Sequence, residues 1–166
     1  CEVESEDLEK GIDILESLDH KEKHPAILNM LGVFYYLSRR YEDSIGSLEK
    51  AADYDLFVHH NNFGCSRFQL ERYDEALDSF ETALSLKSDD VVVLNNIGFC
   101  QLEKNMLEAA VETFKRAIEI DEKDPVGWFN KGIVLKRLER EGWKDPIEKA
   151  VGLDPDFEAA ERMLES

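Results

Sequence analysis

A chain of 166 residues carries 37 acidic against 20 basic side chains, a formal net charge of −17, and 43% apolar residues. That length suits one domain whose core removes roughly 70% of the unfolded surface from water, and the acidic field disfavours nucleic acid and anionic membrane as direct partners. Gly and Pro are few and no run nears the ~18 apolar residues of a membrane span, so the composition is that of an ordered, soluble, acidic protein.

The chain opens on Cys1 with no initiator Met, as a fragment or a processed product would, and no signal or transit segment is visible. Cys1, Cys65 and Cys100 are odd in number and widely spaced, which makes no disulfide framework and fits reducing, cytoplasmic surroundings. A processed periplasmic or lipid-anchored protein is the alternative, because a mature lipoprotein also starts with Cys.

Residues 1–24 read as an acidic segment with a covering helix near 6–18, whose Leu8, Ile12, Leu15 and Leu18 share one face. Helices are then predicted near 25–38, 41–54, 57–70, 73–86, 91–104, 107–120 and 125–140, with Pro25 and Pro125 at first-turn positions. Asp145-Pro146 reads as an N-cap and first turn, so the next helix shrinks to about 146–152. The connection Gly142-Trp143-Lys144 lets Trp143 fill the space left over. A last helix from Phe157, capped by Asp156, turns Ala160, Met163 and Leu164 back onto the chain. Ten helices are expected.

The helices repeat. Gly32, Gly64, Gly98 and Gly132 are 32, 34 and 34 residues apart. Twelve residues beyond the first three come Ser44, Ala76 and Ala110, then Leu48, Phe80 and Phe114, then Ala51, Ala83 and Ala117. Spacings of 3 and 4 put these on one helical face, and a period near 34 marks a stacked array. Glycine inside a helix costs roughly 1 kcal/mol, so its phased recurrence implies that two helices of one hairpin approach too closely for a side chain. In the fourth repeat, Ile147 and Ala150 take the equivalent places only if one residue is deleted.

These words, Leu28..Leu31-Gly32..Tyr35 with Tyr41..Ser44...Leu48..Ala51 and their three echoes, resemble the tetratricopeptide repeat family over roughly 25–155. The resemblance implies an all-α, right-handed superhelix of helical hairpins. Its units would run 25–56, 57–90, 91–124 and 125–155, the fourth with a shortened second helix, followed by a C-terminal capping helix at 156–166. It also implies a concave groove lined by the first helix of each hairpin, and a role in holding protein partners.

On that placement, Asn62, Asn96 and Asn130 lie two residues before successive glycines, with Asn61 and Asn95 beside two of them. An amide offers donor and acceptor together, so such a ladder suits the backbone of an extended peptide; bonding between neighbouring helices is the competing use. Tyr36, Cys65, Phe68, Gln69, Phe99, Leu102, Phe129 and Ile133 would supply the remaining groove surface, and Lys136 and Arg137 a basic spot toward its end. The inner surface reads as nearly free of acid apart from Glu103, which favours a ligand with neutral or apolar side chains and an acid near the basic spot. The two-carboxylate clamp of the family's chaperone adaptors is not expected. Its places are taken by Asn29, Val33, Asn62, Val92 and Asn96, of which only Asn62 matches.

Catalytic signatures are missing from the sequence: no phosphate-cradling Gly-rich loop, no HExxH, no calcium loop. His20, His24, His59 and His60 read as ordinary exposed or packed side chains. Asp89-Asp90 reads as a turn and helix start. The expectation is a non-enzymatic scaffold or adaptor without cofactor or metal, binding an extended segment of a partner protein. The alternatives are a self-assembling structural module or the non-catalytic adaptor region of a larger enzyme.

Overall fold

The computed structural model describes residues 5–21, 24–51 and 56–165. Among them lie ten α-helices and no strand, divided into two compact units, Cys1–Leu86 and Lys87–Ser166. The first unit contains α1 (Ser5–Ser17), α2 (Pro25–Leu37), α3 (Tyr41–Lys50), α4 (Phe57–Gln69) and α5 (Tyr73–Leu86). The second contains α6 (Val91–Glu103), α7 (Leu107–Ile120), α8 (Pro125–Arg137), α9 (Lys144–Leu153) and α10 (Glu158–Leu164). Four hairpins result: α2–α3 and α4–α5 in the first unit, α6–α7 and α8–α9 in the second.

One contact recurs in every hairpin. A Cβ built on Gly32 would meet Leu48 Cγ at 2.6 Å, one on Gly64 would meet Phe80 Cε1 at 2.5 Å, and one on Gly98 would meet Phe114 Cε1 at 2.5 Å. On Gly132 it would run into Ile147 Cδ1. Each partner is buried to within 1%, so each hairpin gains roughly 1.5–3 kcal/mol from burying that side chain in the gap the glycine leaves. The fourth hairpin uses Ile147, as the deletion of one residue requires.

The turns inside the hairpins carry a feature that the sequence pattern does not announce. Arg39, Glu71, Asn105 and Glu139 hold φ of 60°, 60°, 58° and 54°. Beyond each, a backbone N–H closes back on the helix: Arg40 to the Tyr35 carbonyl (2.8 Å), Arg72 to Arg67 (3.0 Å), Met106 to Gln101 (2.7 Å) and Arg140 to Leu135 (3.0 Å). With the shorter bonds from Arg39, Glu71, Asn105 and Glu139 to Tyr36, Phe68, Leu102 and Lys136, these are Schellman caps, in which glycine normally holds the left-handed position. Here only Asn105 is a residue that tolerates it well.

At the chain's start, Leu8 and Ile12 of α1 are buried, Ile12 against Leu31 and Tyr35. The Tyr35 hydroxyl donates to the Glu16 carboxylate, and Arg40 lies 4.5 Å from the Tyr35 ring centre. Leu18 departs from the expectation: it follows the end of α1 and stays exposed. The part of the predicted third helix over 52–54 lies outside the described residues. Asp90 caps α6 by accepting from the Val93 N–H at 3.1 Å, as the turn reading requires.

Two helix starts differ from their sequence reading. α9 begins at Lys144, so Asp145 and Pro146 sit inside its first turn and Trp143 takes the cap position. Proline costs no hydrogen bond anywhere in that first turn, which is why its presence fixes the helix start only loosely. Asp156 does not cap α10. Phe157 occupies that place with no side-chain bond, while Asp154 accepts from the Asp156 N–H at 3.1 Å. Trp143 packs with Ile147, Ala150 and Ala160, together with Phe157, Met163 and Leu164, as the terminal cover.

Two measurements follow. Gly98→Ala gains helix propensity of about 1 kcal/mol but overpacks Phe114, so a net loss of about 2 kcal/mol is expected in urea melts. In a Phe114→Ala background the same change becomes neutral or stabilising. Glu71→Gly relieves a left-handed residue and should stabilise by about 0.5–1 kcal/mol, more than Asn105→Gly does.

Candidate functional site

In the second unit, the Asp90 cap starts α6 so that Val91, Val92, Asn95, Asn96 and Phe99 follow one another down a single face. With Val126 of α8 and Asp121 and Asp124 of the α7–α8 connection, they line a groove of about 490 Å³. Val92 is 62% exposed and Val126 39%, although both are branched apolar residues on well-formed helices. Phe99 forms the floor, its ring edge-on to Phe114 at 5.7 Å.

The polar groups of this groove are held by backbone. Asp124 accepts from the Val126 N–H at 3.0 Å as the N-cap of α8, and Asp121 accepts from the Lys123 N–H at 3.0 Å. Asn95 is only 9% exposed, and its buried Oδ1 has no hydrogen-bond partner. Asn96, next along the chain, is half-buried. The lining thus holds two carboxylates and no basic residue. This corrects the expectation of an inner surface nearly free of acid: the acids arrive from the connection between helices, which a reading of helix faces does not include.

The remaining expected groove residues of this unit divide by depth. Asn130 is 2% exposed with Nδ2 unpaired, and Leu102 belongs to a core cluster with Leu107, Ala110, Val111, Phe114 and Val134. Neither offers surface to a ligand. α8 packs against both α7 and α9, and Leu102 lies near the end of α6, before the turn to α7. Ile133 packs against that same cluster, and Phe129 packs against Phe157 at 4.9 Å. The basic spot is also engaged: Lys136 stands over the Trp143 ring at 4.3 Å, and Arg137 donates to the Leu102 carbonyl at 3.3 Å.

In the first unit, α2 and α4 lie side by side. Burial, with Cys65 nearby, raises the Tyr36 phenol above its ordinary pKa, while a hydrogen bond with Gln69 pulls the other way. Tyr36 also meets Tyr41 at 5.6 Å, and Phe68 meets Tyr73 at 5.4 Å. Burial pushes the Cys65 thiol up to about 11, the opposite of what a reactive cysteine needs. Asn61 and Asn62 are half-buried, and Asn62 Nδ2 is buried without a partner. Beneath them the hydroxyls of Ser44 and Ser66 bond each other at 2.7 Å, and Ser44 also donates to the Gly32 carbonyl at 2.7 Å. Of the adjacent histidines, His59 is the buried one and His60 is half-buried, their rings 5.2 Å apart.

The exposed valines escaped the sequence reading, yet their signal was present. Val58, Val92 and Val126 each stand six residues before a motif glycine and 34 residues apart, and all three are exposed.

Comparison with known proteins bears on the whole chain. Residues 55–123 match the tetratricopeptide repeat family model. Among curated proteins, the general transcriptional corepressor trfA of Dictyostelium discoideum is 30% identical over 108 residues, 58% of this chain and 8% of the relative. The human protein O-mannosyl-transferase TMTC1 is 25% identical over 146 residues, 64% of this chain and 17% of its own length. The peroxisomal targeting signal receptor of Candida albicans is 29% identical over 63 residues, 38% and 11% of the two chains. The chain therefore spans less than a fifth of each of these relatives.

Solved structures show the fold. YrrB, described as a TPR protein with an unusual peptide-binding site, superposes with a TM-score of 0.82 at 21% identity, over 97% of this chain and 85% of that one. MamA from Desulfovibrio magneticus RS-1 gives 0.83 at 17% identity, over 90% and 87%. Residues 55–123 thus match the tetratricopeptide repeat family, and the phased glycines and helical hairpins on either side follow the same pattern.

Proposed function

We propose that the protein is an interaction scaffold that holds an extended segment of a partner protein in the groove of its helical hairpins, by positioning and without chemistry. The observation that carries this is the open apolar groove of the second unit, where Val92 and Val126 stay exposed around Phe99 and Asn96. Fully burying valine is worth roughly 1.5–3 kcal/mol, and folding leaves part of that gain unrealised at both positions. An occupant that covers them and pairs with the amides recovers it.

The likeness to YrrB, described as having a peptide-binding site, supports this reading, as does the partial match to a targeting-signal receptor. A second reading is the non-catalytic adaptor region of a larger enzyme. It draws on the match to 17% of a transferase and uses the same groove.

The test follows from the exposure of the valines. Val92→Ser with Val126→Ser changes two surface side chains, so stability should move by no more than about 0.5 kcal/mol for each. Capture of the partner in a quantitative pull-down should fall at least about tenfold, because apolar anchors dominate such contacts. Unchanged capture with an unchanged melt would overturn the groove as the functional surface and direct attention to the outer helices.

A further inference from the structure

We propose that the groove of the second unit selects a segment pairing a branched apolar side chain with a neighbouring lysine or arginine. This deepens the reading of the groove as a peptide site and rests on it.

Two observations converge on that ligand. The first is the apolar surface of Val91, Val92, Phe99 and Val126, which suits a side chain of leucine or valine size. The second is charge. Asp121 and Asp124 each accept one backbone N–H in the fold, and a carboxylate has capacity for about four bonds. No basic side chain lines the groove to neutralise them. A lysine or arginine lays its aliphatic stem along apolar surface and carries its charge to the rim.

The same reasoning argues against an acidic ligand. Lys136 and Arg137, the cations expected to receive one, do not line this groove. The net charge of −17 repels an acidic segment on approach and steers a basic one in.

The experiment uses the full chain and fluorescein-labelled, end-blocked short peptides with a central leucine or valine flanked by lysine, alanine or glutamate, read by fluorescence anisotropy. Lysine peptides should bind at least about tenfold more tightly than glutamate peptides at about 50 mM salt, with the gap narrowing at about 300 mM as the charges are screened. Asp121→Asn with Asp124→Asn should shrink that gap to about twofold while the melt is kept, since asparagine caps a helix as well as aspartate. If glutamate peptides are preferred, or the Asp→Asn pair leaves the preference intact, the basic–apolar ligand is overturned; the groove itself survives if Val92→Ser still weakens the peptides. If no peptide binds, or none responds to Val92→Ser, both readings fall.

Discussion

The fold depends on a glycine facing a large apolar side chain in each hairpin. Gly32 against Leu48, Gly64 against Phe80, Gly98 against Phe114 and Gly132 against Ile147 bring the two helices to a distance that no Cβ survives. Close approach buries the facing side chain completely and sets how the remaining residues of both helices meet. A glycine in a helix is unfavourable on its own, and the buried partner more than offsets that cost. The buried residues that follow, Ala51, Ala83, Ala117 and Ala150, lie one turn beyond each partner.

Because that contact is local to a hairpin and recurs, it was legible in the sequence. The period near 34, the eight hairpin helices and the one-residue deletion before Ile147 all follow from it. What the pattern did not reveal are features that carry no periodic apolar signal. The left-handed turn positions are Arg39, Glu71 and Glu139 where glycine would have announced them; only Asn105 hints at the geometry. The start of α9 was misplaced because a proline is equally at home anywhere in a first turn.

The site was less legible, for a reason that Asn95, Asn96 and Asn130 make plain. Helical spacing assigns a residue to a face but says nothing of its depth. Asn96 and Asn130 occupy the same repeat position, yet one is half-buried and the other enclosed. Depth is a matter of tertiary packing, which spacing along one helix does not encode. The valines were overlooked for the opposite reason. An apolar residue on a helix carries no mark of exposure in the sequence, so Val58, Val92 and Val126 do not stand out there, although folding leaves them exposed.

The charge of the groove comes from residues whose first duty is to the backbone. Asp124 starts α8 by accepting the Val126 N–H, and Asp121 tightens the turn before it through the Lys123 N–H. Both carboxylates are therefore fixed in place by the connection they help to form, and they border the groove whether or not a ligand is present. Most of the chain's acids sit on exposed helix faces, where salt screens them and side chains swing freely. A carboxylate anchored beside exposed valines is different, because its direction is set before a partner arrives. In this protein the same two aspartates thus link the turn chemistry of a helix start to the electrostatic character of the surface beside it.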